Sequence, residues 1–474
     1  MTTDLVLNPA EQASEEALEK IRVCLRDGKS FLLEAGAGAG KTYSLIETLK
    51  YLIADKGNDL VNKHQQIACI TYTNVAADEI ISRTDSHPAI HSSTIHAFCW
   101  SLIKGFQPFL REKLQDIPSW TSKVEEAGGI SNQKVIYDLG YRKIDNNEIM
   151  LHHDDILSLM VDLLHVEKFR TLFSKRYPIL FIDEYQDTDV KFADALNTYY
   201  LDVSAGITIG FFGDHWQKIY GTGCGKIEHP NLEEIGKEAN FRSVPVIVNS
   251  LNRLRSELPQ QVCEPDAQGA VSVFHTNNWR GTRLTGNHWK GDLPSEVAHE
   301  YLENLKTQLE TEGWEFSLDK SKILMLTHNV LATEQGYKNL ADAFRYKESF
   351  VKKENRHVSF LIDTLEPVCI AYEKGHFGEM FSLLGRRTPL LKSLSDKETW
   401  ARDMGDLLVL RQRGTIGEVI DHLILTRRPR LPESVESKER QLVEWLQDDD
   451  REENRSLSEI VKLRDVAYSE LVAL

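Results

Sequence analysis

The sequence predicts an α/β fold, in which a parallel β-sheet is flanked by helices and followed by a mostly helical C-terminal region. Short apolar runs at residues 31–33, 67–72, 179–182 and 207–212 indicate the strands. Each run leads into small or polar residues, after which apolar residues recur at helical spacing. Such alternation is typical of parallel sheets, whose strands are apolar on both faces. From about residue 340 these runs disappear, which predicts helices onward.

The stretch at residues 31–42, FLLEAGAGAGKT, has the pattern of a phosphate-binding P-loop. Small residues let successive backbone N–H groups approach phosphate oxygens, and the helix N-terminus adds partial positive charge. The strict pattern has Gly at the position of Ala35, so the match is to a relaxed form. A glycine-rich turn before an ordinary helix is the alternative, which the flanking strand and helix disfavour. The predicted nucleotide-binding residues are Ala35, Gly36, Ala37, Gly38, Ala39, Gly40, Lys41, Thr42 and Tyr43.

The chemistry at the phosphates is predicted from two stretches, the P-loop and ILFIDEYQD at residues 179–187. Lys41 would bridge the β- and γ-phosphates, and the Thr42 hydroxyl would hold Mg²⁺. Asp183 would hold Mg²⁺ through water, and Glu184 would activate the attacking water. Both acids follow a buried strand, at the sheet edge where open α/β proteins bind ligands. The alternative is a strand that ends in solvated acids, which the upstream P-loop disfavours.

Four further residues are candidates for the same site. Gln217 follows the apolar run 207–212, where it could sense the γ-phosphate or position water. Gln12 carries a donor and an acceptor for an adenine edge, although a surface Gln is an equal alternative. Phe241 could stack on adenine, and Arg242 is a candidate arginine finger.

A separate set of residues suits single-stranded nucleic acid. Tyr72 ends the run 67–72, and Thr73 and Asn74 follow it. His96 comes shortly after the sequence SST at residues 92–94. An aromatic ring, small polar groups and a histidine at strand ends can stack on a base and bind phosphates. Taken singly, each of them is more often a core or helix-capping residue.

Composition limits the classes of function. Lys and Arg number 56 against 72 Asp and Glu, which gives a formal net charge of −16. This balance argues against non-specific coating of nucleic acid, so binding would need a local basic and aromatic groove. The six cysteines are scattered without a CxxC pair, which predicts reduced thiols of a cytoplasmic protein. No stretch has the length of a membrane span.

Six consecutive motifs resemble those of the UvrD/Rep-like superfamily-1 DNA helicases, over most of residues 1 to about 340. They are AGAGAGKT, ITYTNVAADEIISR, STIHAFC, FIDEYQD, FGDHWQKIY and NFRS. The resemblance implies two RecA-like lobes that bind ATP and Mg²⁺, and 3′ to 5′ translocation on single-stranded DNA. It implies ATPase roles for Lys41, Thr42, Asp183, Glu184, Gln217 and Arg242, and DNA contacts for Tyr72, Thr73, Asn74 and His96.

The sequence departs from the family pattern in three places. Gln12 is one residue out of step with the usual adenine-reading Gln. Residues 221–223, GTG, stand where the family has a tract with a base-stacking Trp, so the platform is absent or moved to a residue such as Trp216. The later Gly-Lys-Gly and Thr-Arg-Ala motifs are not found, and TRR at residues 426–428 is interpreted as a chance similarity.

These observations predict the domain organisation. Residues 1–105 and 175–262 would form the first RecA-like ATP-binding lobe, interrupted by a mostly helical insertion at 106–174. Residues 263–340 would begin a second lobe, with strands at 271–274 and 322–327. Residues 341–474 would be a helical insertion of that lobe, with the sequence ending before the lobe is complete.

Two functions are consistent with the sequence. The first is an ATP-dependent DNA translocase or helicase in repair, recombination or phage defence, and the sequence favours it. The second is a helicase-like ATPase that senses DNA and regulates a protein partner, such as a nuclease, without processive unwinding. A generic P-loop kinase or GTPase does not explain DEYQD together with NFRS.

Overall fold

The structure is a computed structural model in which the chain divides into two compact units, Met1–His275 and Thr276–Leu474. No helix among the residues that it describes has both the length and the apolar character needed to cross a membrane. The described residues are 7–137, 142–202, 206–285, 290–317, 320–325, 328–344, 355–385, 392–447 and 454–473.

All named strands belong to the first unit, together with its helices. The strands are β1 (Ser30–Ala35), β2 (Ile67–Thr71), β3 (Ile90–Thr94), β4 (Lys134–Tyr137), β5 (Lys143–Ile144), β6 (Glu148–Leu151), β7 (Ile179–Asp183), β8 (Thr208–Gly213), β9 (Leu232–Lys237), β10 (Ala239–Asn240) and β11 (Gln261–Val262). The helices are α1 (Pro9–Asp27), α2 (Lys41–Asn62), α3 (Asn74–Arg83), α4 (Ile95–Ile103), α5 (Gln107–Leu114), α6 (Thr121–Glu126), α7 (His153–Leu164), α8 (Glu167–Arg176), α9 (Val190–Leu196) and α10 (Pro245–Leu254).

The central sheet has six parallel strands in the order β3-β2-β7-β8-β1-β9. This confirms the predicted α/β fold, and the four apolar runs form β1, β2, β7 and β8. Alternate residues enter separate cores on the two faces: Leu32 and Ile182 pack with α4 and α7, whereas Phe31 and Leu33 pack with α1 and α2. Because all six strands are parallel, their carboxyl ends lie along one edge of the sheet.

The segment at residues 106–174 was predicted to be mostly helical, and it also contains a small sheet. Helices α5 to α8 accompany three strands in the order β4-β6-β5. The side-chain amide of Gln107 donates to the Val135 carbonyl at 3.0 Å and accepts from its N–H at 2.8 Å. These strands have two to four residues, too few for a clear period in the sequence.

All the regular secondary structure described in the second unit is helical, which confirms the prediction for the C-terminal region. Its largest core cluster includes Trp400, Met404, Ile416, Val419 and Tyr468. Turns of π-helix extend α9 at Asn197–Leu201 and, at Leu361–Leu365, join the helices Arg356–Phe360 and Glu366–Glu373. The helices are α11 (Ser295–Thr311), α12 (His328–Gln335), α13 (Lys338–Ala343), α14 (Arg356–Phe360), α15 (Glu366–Glu373), α16 (Phe377–Leu384), α17 (Leu394–Arg413), α18 (Ile416–Thr426), α19 (Glu433–Gln447), α20 (Arg455–Asp465) and α21 (Tyr468–Ala473).

The two strands predicted at residues 271–274 and 322–327 are wrong where the structure describes them. Residues 271–274 and 322–325 have no regular secondary structure, and 326–327 lie outside the described residues. Val273 is 86% exposed and Leu324 is 93% exposed, so neither segment is buried. A strand needs a neighbour to bond its backbone groups, and neither segment pairs with another described residue in a sheet. The second lobe therefore stays a prediction.

Candidate functional site

The P-loop connects β1 to α2 through residues 36–40. Gly38 and Gly40 have φ angles of 78° and 74°, in the left-handed region that glycine adopts readily. Among the described residues, no backbone carbonyl accepts a hydrogen bond from the N–H of Gly38, Gly40, Lys41 or Thr42. The loop and the first turn of α2 therefore offer a row of N–H donors to an anion.

The carbonyl groups of the same loop are fixed by residues far away in sequence. The Ala37 carbonyl accepts from Asn240 Nδ2 at 3.0 Å and from Gln260 Nε2 at 3.2 Å. The Gly38 carbonyl accepts from the Phe241 N–H at 2.9 Å. A Cβ atom on Gly38 would lie 2.8 Å from Asn240 Oδ1, so only glycine fits this approach. The NFRS motif thus fixes the Ala37 and Gly38 carbonyls of the P-loop.

Lys41 contacts two of the residues predicted to act on the γ-phosphate. Its Nζ donates to Glu184 Oε2 at 3.0 Å and to Gln217 Oε1 at 3.3 Å. Gln217 Nε2 donates to Asp214 Oδ2 at 2.7 Å, which fixes the orientation of the amide. Glu184 has a φ of 49°, a left-handed conformation that is uncommon for a residue with a side chain. Such backbone outliers cluster at functional sites.

Asp183 is buried at the end of β7, and its Oδ1 atom has no hydrogen-bond partner among the described residues. Burial, and then the charge of Glu184, raise the pKa of this carboxyl to about 7. The Thr42 side chain, in the first turn of α2, is half-buried. Carboxylate and hydroxyl oxygens with water are the ligands that Mg²⁺ prefers, so these residues fit the predicted metal.

A buried ion network lies behind Gln217, and sequence reasoning did not find it. Arg255, at the end of α10, pairs with Asp214 Oδ1 at 2.6 Å and with Glu34 Oε2 at 3.0 Å. The Tyr185 hydroxyl donates to Glu34, and His215 Nδ1 lies 3.1 Å from the same carboxylate. The only signal in the sequence is an acidic residue in the otherwise apolar stretch FLLEA.

Two aromatic rings lie beside the start of α2. Tyr43 is 51% exposed and Phe241 is 42% exposed. Lys237 Nζ lies 5.5 Å from the centre of the Tyr43 ring and 5.8 Å from that of Phe241. Arg242 is exposed, and its Cβ would be 3.0 Å from a Cβ on Gly38. The predicted base-stacking residue and the predicted arginine finger therefore both adjoin the P-loop.

No described side-chain contact joins Gln12 to the other predicted residues of the nucleotide site. Asn8 caps α1, since its side chain accepts from the Glu11 N–H. Gln12, the residue after Glu11, is exposed, and its Nε2 donates to Glu16 Oε1 at 3.1 Å. Its role as an adenine reader stays a prediction.

The four predicted DNA contacts lie at the ends of two neighbouring strands. Strands β2 and β3 are parallel, with Thr71 opposite Thr94. Tyr72, Thr73 and Asn74 follow β2 and are exposed, and Thr73 caps α3 by accepting from the Ala76 N–H. His96 is the second residue of α4, which follows β3 directly. The sheet therefore brings these residues to the same edge.

An aromatic pair extends this edge. The rings of Tyr72 and Tyr220 are stacked, with centres 5.0 Å apart and planes at 27°. Tyr220 lies three residues after Gln217, whereas Trp216, the suggested replacement platform, lies with its ring 5.6 Å from the Arg255 guanidinium. His96 makes an edge contact with His153 of α7, with ring centres 4.8 Å apart. The sequence did not predict that Tyr220 would stack on Tyr72 or that His153 would contact His96.

Comparison with known proteins matches residues 19–223 to the family model described as an AAA domain. Gabija protein GajB of Bacillus cereus strain HuB5-5 is 26% identical over 500 residues, covering 85% of this chain and 69% of that protein. Gabija protein GajB of B. cereus strain VD045 is 30% identical over 269 residues, covering 52% and 51% respectively. The ATP-dependent DNA helicase PcrA of Staphylococcus aureus strain Mu50 is 25% identical over 280 residues, covering 47% and 37%. This chain thus spans half of the second relative and about a third of PcrA.

Solved structures that resemble the chain include Pif1 helicase from Candida albicans, with 16% identity and a TM-score of 0.26 over 49% of this chain and 39% of that one. The family match, the similarity to PcrA and GajB and the six ordered motifs support a superfamily-1 helicase-like protein with an α/β RecA-like fold.

Proposed function

We propose that this chain binds ATP with Mg²⁺ and hydrolyses it in response to single-stranded DNA, coupling hydrolysis to 3′ to 5′ movement along the strand. The observation that carries the proposal is the contact of Lys41 with both Glu184 and Gln217. Three side chains from separate parts of the sequence meet where the P-loop offers its unbonded N–H groups. This is the arrangement that phosphoryl transfer to water requires.

Binding would begin with an exchange of partners at Lys41. The ammonium leaves Glu184 and bridges the β- and γ-phosphates, whose oxygens also accept from the N–H groups of the loop. Tyr43 and Phe241 offer exposed ring faces to the base. Arg242 has no ion pair among the described residues, so its guanidinium can turn to the γ-phosphate.

Hydrolysis would then use the carboxylate that Lys41 has released. Glu184 accepts a proton from the attacking water, and Gln217, held by Asp214, orients that water or the γ-phosphate. Thr42 and Asp183 would hold Mg²⁺, which neutralises charge on the phosphate oxygens. Arg242 stabilises the charge that develops in the transition state.

The DNA strand would lie along the ends of β2 and β3. Tyr72 offers a ring to a base, Thr73 and Asn74 offer polar groups at the start of α3, and His96 lies on the next element. The Tyr72–Tyr220 stack supports coupling, because Tyr220 and Gln217 belong to one short segment after β8. A displaced Tyr72 would move the segment that carries Gln217.

A second candidate is a helicase-like ATPase that senses DNA and regulates a protein partner such as a nuclease. The similarity to one GajB protein covers 85% of this chain, whereas the similarity to PcrA covers 47%. The similarity to GajB thus includes much more of this chain than the similarity to PcrA does. This difference supports the second candidate. Both candidate functions need the same ATP site, but only the first includes separation of the DNA strands.

The test is an ATPase assay with and without single-stranded DNA, beside unwinding of a forked duplex. Lys41→Ala should weaken nucleotide binding, and Glu184→Gln should bind ATP but turn over roughly 100-fold more slowly, because an amide accepts a proton poorly. Glu233→Gln, on the exposed face of β9, is the matched control. Turnover by Glu184→Gln at the parental rate would overturn the assignment. DNA-stimulated turnover without strand separation would favour the second candidate.

A further inference from the structure

Lys237 is a buried lysine that the proposed mechanism does not use. It is the last residue of β9, and its side chain is completely shielded from solvent, with 0% exposure. No carboxylate lies within ion-pair distance of its Nζ among the described residues. Glu34, another buried charged residue of this unit, is by contrast paired with Arg255. An uncompensated buried charge is costly, and natural proteins place one mainly where it has a role.

The contacts of Lys237 all belong to the nucleotide site. Its Nζ donates to Ser44 Oγ at 2.7 Å and to the Gly40 carbonyl at 3.2 Å. Gly40 directly precedes Lys41, and the rings of Tyr43 and Phe241 lie within 6 Å of the same ammonium. The side chain therefore ends directly behind the P-loop and beside both rings proposed to contact the base.

The charge of Lys237 adds to a region that is already positive. The N-terminus of α2 carries the positive end of the helix dipole. Lys41 is neutralised by Glu184 when no nucleotide is bound, but Lys237 has no such partner among the described residues. Burial lowers the pKa of Lys237 to about 8, against a smaller opposing effect of the Glu15 charge, so the side chain is still mostly protonated at neutral pH. A polyphosphate in the loop would supply the missing negative charge.

We propose that Lys237 is a second cation of the nucleotide site, which strengthens the binding of di- and triphosphates by attraction through the P-loop. It touches the loop and not the ligand, and so acts as a positioning and electrostatic residue. The proposal rests on the proposed ATP site. It adds Lys237, the last residue of β9, to the residues of that site that would touch the nucleotide.

The opposing interpretation is that Lys237 only holds the structure together. In that case its hydrogen bonds stabilise the unbound protein, and its removal lowers stability without a specific loss of affinity. The electrostatic role predicts the opposite result. Removing a buried charge that has no ion-pair partner should not lower the stability of the unbound protein, but it should weaken nucleotide binding. The two roles therefore differ in the sign of their effect on the unbound protein.

The experiment compares Lys237→Met and Lys237→Gln with the parent chain, by thermal unfolding and by ATP–Mg²⁺ affinity at pH 7. Both variants should unfold at a temperature equal to or above that of the parent when no nucleotide is present. Their affinity for ATP should fall on the order of tenfold, because a buried charge interacts through a low dielectric. A folded Lys237→Met protein that binds ATP within twofold of the parent would overturn the proposal.

Comparing the affinities for AMP, ADP and ATP distinguishes two ways in which Lys237 could act. It could attract the phosphates, or it could only hold the rings of Tyr43 and Phe241 in place. The fold-loss should increase from AMP to ADP to ATP if the phosphates are attracted, and should be the same for all three if only the rings are held. An equal loss for all three nucleotides would therefore also overturn the proposal. Lys50→Met is the matched control, since Lys50 lies on α2 with its side chain 52% exposed.

Lys41→Ala keeps this test separate from that of the proposed function. If Lys41→Ala binds ATP like the parent, the nucleotide site itself is wrong and Lys237 has no site to support. If Lys41→Ala loses binding and Lys237→Met keeps it, only the inference about Lys237 fails.

Discussion

Asp183 provides a residue-scale prediction, because its raised pKa links stability to pH. The folded protein binds a proton at Asp183 below about pH 7, whereas the unfolded chain does so only below about pH 4. Between these values the folded state holds more protons, so the contribution of Asp183 to the free energy of unfolding decreases as pH rises. Asp183→Asn removes this decrease.

The measurement is urea unfolding of the parent and Asp183→Asn without nucleotide or metal, from pH 4.5 to 8. The parent should lose stability relative to the variant across this range, by on the order of 3 kcal/mol. Asp266→Asn serves as the control, since Asp266 is exposed in a loop. Parallel pH profiles for the parent and Asp183→Asn would contradict the prediction.

At the scale of elements, Gln260 connects the P-loop to the pair formed by β10 and β11. Its Nε2 donates to the carbonyls of Ala37 and Ala239, and its Oε1 accepts from Asn240 Nδ2 at 3.0 Å. Gln260→Ala would remove these three hydrogen bonds from a largely buried position, at a cost of about 1–3 kcal/mol. We expect a lower unfolding temperature and weaker ATP binding, because Asn240 alone would then hold the Ala37 carbonyl of the loop.

Thermal unfolding and nucleotide titration test this prediction together. Gln268→Ala changes an exposed residue of the same type and should match the parent in both measurements. Unchanged ATP affinity in Gln260→Ala would show that the loop keeps its shape without this support.

The neighbouring ends of β2 and β3 give a second prediction at this scale. Tyr72→Ala should weaken binding to single-stranded DNA roughly 10-fold, because a stacked base is lost, and His96→Ala should weaken it as well. ATP affinity measured without DNA should not change in either variant. Fluorescence anisotropy of a labelled oligonucleotide at two salt concentrations is the measurement. Parental DNA binding by both variants would place the groove elsewhere.

For the whole molecule, the two units have separate cores. The two clusters that cover the faces of the central sheet contain residues only of the first unit, and the largest cluster of the second unit contains residues only of the second. We therefore predict that a fragment of residues 1–275 folds alone and binds ATP–Mg²⁺. Circular dichroism and a thermal shift with ATP would test it, with Lys41→Ala in the fragment as the control. A fragment that shows no cooperative unfolding would contradict this prediction.

The sequence by itself determined the parallel sheet, the P-loop and the two acids at the end of β7. These features are local: an apolar run, a small-residue loop and a helix cap each follow from residues within a few positions of one another. The same locality explains why the pattern of residues alone indicates Lys41, Thr42, Asp183 and Glu184. It also explains the error at residues 271–274 and 322–327, where apolar composition suggested strands that have no neighbour among the described residues.

Only the tertiary structure decided which distant residues support that site. Gln260, Arg255 and Lys237 have no local signal, because a lone polar or charged residue in a sequence is usually on the surface. Gln260 and Lys237 are buried and Arg255 is largely so, because the parallel sheet brings the ends of β1, β8 and β9 together with the residues around α10. Strand order and long-range packing are global properties of the chain, and they turned three isolated polar side chains into neighbours of the P-loop and of Gln217.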